Sequence, residues 1–113
     1  MADTDCIFCR IAAGQIPSDV VYQDQHVTAF RDLNPQAPTH VLVIPNVHVA
    51  SIAELDDADL SHQLLRAAVH VAEQEGLTNG FRVLTNSGPD AGQSVEHLHW
   101  HVLGGRHLRG GLA

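Results

Sequence analysis

Polar and apolar residues alternate with period two along residues 97–102, where His97, His99 and His101 interleave with Leu98, Trp100 and Val102. Period two is the pattern of a β-strand whose successive side chains point to opposite faces. It predicts a strand within residues 93–105, with three imidazoles in a row on one face, roughly 7 Å per step. Leu98, Trp100 and Val102 would then point into a core. Residues 40–45 are an almost continuous apolar run, as in a central, well-buried strand. Residues 20–24 and 26–31 read as a hairpin turning at Asp24-Gln25, and residues 81–86 as a further strand. Helical spacing occurs twice. Ile7, Phe8 and Ile11 mark a short helix over residues 6–13, stopped by Gly14. Leu60, Leu64, Ala67, Ala68 and Val71 form the stripe of a long helix over residues 56–75. Asp56 is its expected N-cap, Asp57 and Asp59 suit the first turn, and Gly76 ends it.

The order short helix, hairpin, strand, long helix, strand, strand predicts an α+β domain with a mostly antiparallel five-stranded sheet. A chain of 113 residues is expected to form one domain, 1–113, with residues 1–5 and 106–113 as flexible tails. No internal repeat or linker interrupts it.

Charge narrows the function classes. The 13 acidic residues outnumber 6 basic ones, giving a net charge of −7 with histidine neutral, and every base is Arg. An acidic chain without a basic patch is a poor partner for nucleic acid. With no Lys, a substrate phosphate falls to histidines, a serine and backbone amides, which suits one small nucleotide better than a polymer. No stretch of roughly 18 apolar residues occurs, so no membrane span is predicted. The start, Met1-Ala2-Asp3-Thr4-Asp5, lacks a secretory pattern, and the expected location is the cytoplasm.

Three aligned histidines add nothing to the stability of a strand, because a buried imidazole needs a partner for each nitrogen. A solvated polar face is therefore the weaker reading, and a metal site or a histidine-based catalytic site the stronger. The preceding loop, Asn86-Ser87-Gly88-Pro89-Asp90-Ala91-Gly92-Gln93-Ser94, is rich in turn-forming residues whose amides can converge on an anion. Ser94 adds a hydroxyl. Histidine can attack phosphorus and carry a covalent intermediate, and His99, flanked on both sides, is the natural nucleophile. A three-histidine metal site would more often draw its ligands from several elements. For Cys6-Ile7-Phe8-Cys9 three readings compete: a redox pair, two inert thiols, or half of a zinc site. His62 and His70 on the long helix read as solvated surface residues.

Residues 93–105 resemble the histidine-triad signature, His-x-His-x-His flanked by apolar residues, and residues 35–45, Pro-Gln-Ala-Pro-Thr-His-Val-Leu-Val-Ile-Pro, resemble that family's other hallmark segment. The resemblance runs from about Cys6 to Gly105. It is nearest to the nucleotide-binding branch, which holds purine nucleoside phosphoramidases and related nucleotide hydrolases. The resemblance implies a homodimer whose two sheets join across the two-fold axis. It implies that His99 attacks the α-phosphorus of a nucleoside phosphoramidate or related purine nucleotide conjugate, and that water then releases a nucleoside monophosphate. His101 would contact the phosphate or leaving group. Ser94, with the amides of Gln93 and Ser94, would hold phosphate oxygens and help protonate a leaving amine. Asn86 would lie on the ribose and phosphate side, Asp32 would bind the ribose hydroxyls, and His40 would orient the triad. Leu33 belongs to the nucleotide site, and with Ile7, Phe8 and Ile16 is a candidate to sandwich the base. Zinc-bearing relatives imply that Cys6, Cys9, His48 and His97 hold a structural zinc, with no cofactor needed for catalysis. The ending, residues 108–113, lacks the Trp-containing tail of eukaryotic relatives, so leaving-group preference stays open. A regulatory nucleotide-binding protein and a dinucleoside-polyphosphate hydrolase are the alternative functions.

Overall fold

The computed structural model describes residues 5–110. The elements in order are α1 (Ile7–Ala12), β1 (Val20–Gln23), β2 (Val27–Arg31), β3 (Thr39–Pro45), α2 (Ala58–Gln74), β4 (Phe81–Leu84) and β5 (Trp100–Gly104). Short 3-10 turns lie at Ile52–Glu54 and Pro89–Ala91. The five strands form one sheet in the order β1-β2-β3-β5-β4, every pair antiparallel. This is the expected α+β architecture.

β3 is central because it is apolar throughout, and all seven of its residues are buried. Its side chains alternate between two cores. Val41 and Val43 join Val27, Ala29, Leu98 and Val102 against Leu64, Ala68 and Val71 of α2. Leu42 and Ile44 join Phe30 on the other face, against Phe8, Cys9 and Ile11 of α1. A fully buried side chain such as Leu64 contributes about 1.5–3 kcal/mol. α2 starts one residue later than Asp56 suggested. The Asp57 carboxylate accepts from the amide of Leu60 at 3.0 Å, three residues into the helix, and so satisfies one of its unpaired donors.

The triad segment departs from its period-two reading. β5 begins only at Trp100, and β4 ends at Leu84, whose register partner is His101. Before that point the backbone leaves the ladder because its polar groups are satisfied elsewhere. The Leu98 amide donates to the Val49 carbonyl at 2.7 Å, and the Thr85 hydroxyl donates to the His99 carbonyl at 2.8 Å. Only His101 of the three histidines lies in the strand. Leu98 and Val102 are fully buried in the α2-side core as expected, whereas Trp100 is only partly buried there.

Residues 106–109 lie along the sheet. Arg106 Nη2 donates to the Gln36 carbonyl at 3.1 Å, and Arg82 Nη2 to the Arg109 carbonyl at 2.8 Å. Residues 1–4 and 111–113 of the expected tails lie outside the described residues. Gly105, at φ +97, lets β5 pass close to Pro38, whose Cβ would lie 2.8 Å from an added Cβ. Among the described residues no helix is long and apolar enough to cross a membrane. His62 and His70 are exposed on α2.

Candidate active site and metal centre

On the face opposite α2, the sheet register brings together residues far apart in sequence. His101 pairs with Leu42 and Leu103 with His40, so His40 and His101 point to the same side of β3 and β5. Their hydrogen bonds fix which ring nitrogens carry protons. The Gln36 amide donates to His40 Nδ1 at 3.0 Å. A backbone N–H can only donate, so neutral His40 carries its proton on Nε2. That proton goes to His101 Nδ1 at 2.9 Å, with an Asp32 carboxylate oxygen also 3.4 Å from His40 Nε2. His101 must then carry its own proton on Nε2, and this nitrogen is buried with no hydrogen-bond partner. Burial holds His101 down at about 4, His99 and His40 act in the same direction, and Asp32 opposes them. Burial also lowers His40, again against Asp32. Both rings are neutral near pH 7. Asp32, His40 and His101 are close enough to be considered as metal ligands. The bond from Gln36 rules against that reading, because it leaves the nitrogen of His40 that faces the others protonated.

His99 is set by the same logic. Its Nδ1 lies 2.8 Å from the carbonyl of His97, which only accepts, so Nδ1 bears the proton and Nε2 keeps its lone pair. The ring is 4% exposed, stands 5.2 Å from His101 between centroids, and meets Phe8 edge-on at 5.2 Å. The imidazole face is therefore walled by α1 rather than solvated.

Four further side chains of metal-ligating type, two cysteines and two histidines, converge beside it. Cys6 and Cys9 open and cross α1, His48 follows β3, and His97 leads into β5. The ligand atoms of Cys6, Cys9, His48 and His97 all lie within 4.8 Å of one another. His97 Nδ1 is 3.2 Å from Cys6 Sγ and 3.5 Å from Cys9 Sγ, and His48 Nδ1 is 3.4 Å from Cys9 Sγ. Ligands tetrahedral around zinc lie about 3.3–3.8 Å apart, given usual Zn–N and Zn–S lengths. The donor set therefore fits. His97 is completely buried and donates from Nε2 to the Pro45 carbonyl at 2.9 Å, so its Nδ1 lone pair faces the thiols. An outer partner that fixes the ring in this way is typical of a metal-bound histidine. Cys6 and Cys9 are not joined to each other in a disulfide, so both sulfurs can serve as ligands.

The remaining expected site residues divide. Ser94 is exposed and Asn86 half-buried, and neither side chain is engaged by another described residue. Gln93 is committed. Its Oε1 accepts from Gly88 N at 2.8 Å, its Nε2 donates to Ala50 O and Val95 O, and its amide donates to Gly88 O at 3.2 Å. Gln93 closes the loop through these bonds. Leu33 is 99% and Ile7 48% exposed, whereas Phe8 is core beneath the imidazoles and Ile16 packs beside it. Sequence reasoning missed Thr85, Gln36 and the Pro45 carbonyl. Thr85 alone left a signal, as a hydroxyl beside Asn86 near the end of the predicted strand over residues 81–86.

The HIT domain family model matches residues 13–108. A "Purine nucleoside phosphoramidase" from Escherichia coli (strain K12) is 44% identical over 110 residues, 92% of this chain and 90% of that one. A "14 kDa zinc-binding protein" from Zea mays is 48% identical, over 94% of this chain and 86% of that one. Among solved structures, a histidine triad protein from Clostridium difficile superposes with a TM-score of 0.93 at 45% identity, covering 97% of this chain and 98% of that one. A HIT family hydrolase from Clostridium thermocellum gives 0.93 at 40%, over 98% and 99%.

Proposed function

Because the chain belongs to the HIT domain family, we propose that this HIT-type hydrolase cleaves the bond between the α-phosphorus and the leaving group of purine nucleoside phosphoramidates or related nucleotide conjugates. One observation carries the reading: a histidine with a free Nε2 lone pair, His99, stands beside a buried, unpaired N–H donor, His101 Nε2. A buried donor without a partner is costly, and an anionic phosphate oxygen would satisfy it.

In this mechanism His99 Nε2 attacks the α-phosphorus and the bond from phosphorus to the leaving nitrogen breaks. The positive charge that develops on His99 is eased by the His97 carbonyl at its Nδ1–H. His101 is a hydrogen-bond donor to a non-bridging oxygen. It is not the proton source, because its Nδ1 is occupied by His40. The leaving nitrogen takes its proton through the exposed Ser94 hydroxyl, which exchanges with water. A water molecule then attacks the nucleotidyl-His99, releasing a nucleoside monophosphate, a proton and the free imidazole. Asp32 lies at the end of β2, where its carboxylate can accept from ribose hydroxyls, with exposed Leu33 beside it for the base. Asn86 lies on the ribose and phosphate side.

Cys6, Cys9, His48 and His97 would hold one zinc ion, which supplies a structural cross-link between α1 and the approach to β5. Among the described residues the outer edge of β4 has no strand partner, and it carries Phe81 at 42% exposure, which favours a homodimer continued through that edge. The location proposed is the cytoplasm, where thiols such as those of Cys6 and Cys9 stay available as metal ligands.

A panel of adenosine phosphoramidates, dinucleoside polyphosphates and nucleotide sugars, with product release measured, tests the activity. Phosphoramidates should turn over fastest with release of adenosine monophosphate. Binding without turnover across the panel would replace this reading with a regulatory nucleotide-binding protein.

A further inference from the structure

One residue belongs to both centres. The imidazole of His97 faces Cys6 and Cys9 through Nδ1, while its main-chain carbonyl receives the Nδ1 proton of His99 at 2.8 Å. We propose that His97 is a positioning residue for the nucleophile, and that metal occupancy at Cys6, Cys9, His48 and His97 sets the tautomer and orientation of His99. The inference rests on the assignment of His99 as nucleophile and of these four residues as zinc ligands.

The sheet does not fix this stretch, since residues 97–99 precede β5. Three sets of polar contacts orient the buried His97 peptide: its ring to the Pro45 carbonyl at 2.9 Å, the next amide to the Val49 carbonyl at 2.7 Å, and the two thiols at its Nδ1, with the His48 ring packed edge-on beside it. The thiols sit on α1, a helix of six residues that also carries Phe8, whose ring meets both His97 and His99 edge-on. Bonds from His97 and both cysteines to one ion would lock α1, Phe8 and the His97 peptide as a unit. Without them, the ring and carbonyl of His97 can turn together. If the carbonyl turns away, nothing keeps the His99 proton on Nδ1, and a proton on Nε2 blocks the attacking lone pair.

The readout is the tautomer, not turnover alone. Protein labelled with nitrogen-15 in its histidines is compared at pH 8 as zinc-loaded, chelator-stripped and zinc-restored samples. His99 should show the Nδ1–H pattern with zinc and a mixture without it. The single-turnover rate of His99 nucleotidylation should fall about tenfold or more on stripping, with a smaller change in KM, and return with zinc. A folded, stripped protein with the same His99 tautomer and the same rate overturns the proposal. If the stripped chain does not stay folded, cadmium-113-loaded protein decides through the reciprocity of coupled sites. Adenosine monophosphate should move the cadmium resonance in the wild type, and much less in His99→Ala. An unmoved resonance at saturating nucleotide, or an equal shift in the variant, also overturns it. A holoenzyme that never carries a nucleotidyl group on His99 defeats the nucleophile assignment. Normal nucleotidylation with a tautomer indifferent to zinc defeats only the coupling.

Discussion

His40 Nε2 donates to His101 Nδ1 across the β3–β5 pair at 2.9 Å, and the Gln36 amide at His40 Nδ1 forces that direction. His40 therefore determines which nitrogen of His101 faces a substrate. His40→Ala removes the donor and frees His101 to place its proton on Nδ1. Loss of such an orienting partner costs about 10–100-fold in activity. The expected result is that loss in kcat/KM for a phosphoramidate, with the fold retained by circular dichroism. Unchanged kcat/KM would show that His101 needs no orientation.

His101 also gives the fold a pH dependence. Its folded value is held at about 4 against an ordinary 6.5 by burial. Between those values the unfolded chain binds the extra proton, so stability present above pH 6.5 is lost as pH falls toward about 4. The contribution is about 3 kcal/mol. Urea unfolding of wild type and His101→Gln at pH 7.5 and 5 tests it, with His97 common to both and the Gln carbonyl oxygen able to accept from His40 in place of the imidazole. The wild type should lose the larger share of its stability on acidification. Equal losses would contradict the buried, neutral assignment.

Asp32 lies 3.4 Å from His40 Nε2, and its other oxygen accepts the Asn34 amide at 2.8 Å. The first oxygen is the one left to receive ribose hydroxyls. Asp32→Asn replaces a charged acceptor, worth about 1.5–3 kcal/mol in a good hydrogen bond. The variant should discriminate less between adenosine monophosphate and its 2′-deoxy form in a binding titration. Preserved discrimination would remove Asp32 from the ribose site.

The metal assignment has its own assay. Protein purified without chelator should carry about one zinc per chain. Cys6→Ser with Cys9→Ser should abolish binding and lower the melting temperature, because binding and folding are linked. Full zinc content in the double variant, or none in the wild type, would end the assignment.

How much was legible in the sequence depended on the range of the forces involved. β3 and α2 were visible because burial imposes an apolar run on one and a helical stripe on the other. The Asp56 and Asp57 ambiguity arose because adjacent acids are equivalent until the helix register is known. Period two around the triad signalled alternating sides correctly for Leu98 and Val102. It could not show that His97 and His99 lie off the strand, since that follows from Val49 and Thr85, brought close by the fold. The loop-closing bonds of the Gln93 side chain were not readable, because its partners Gly88 and Ala50 become neighbours only once the loop closes. Cys6 and His97 are 91 positions apart, and no local pattern joins them; the family resemblance did. The tautomers of His40, His99 and His101 were not readable at all, because each depends on one backbone atom.

The central claim is that His99 carries the nucleotidyl group. Rapid-quench mixing with an adenosine phosphoramidate, followed by peptide mass spectrometry, should find adenylyl on His99 within the first turnover. His99→Ala should still bind adenosine monophosphate, form no adduct and lose roughly three to six decades in rate. An adduct on another residue, or a His99→Ala variant retaining about a tenth of wild-type turnover, would contradict the account.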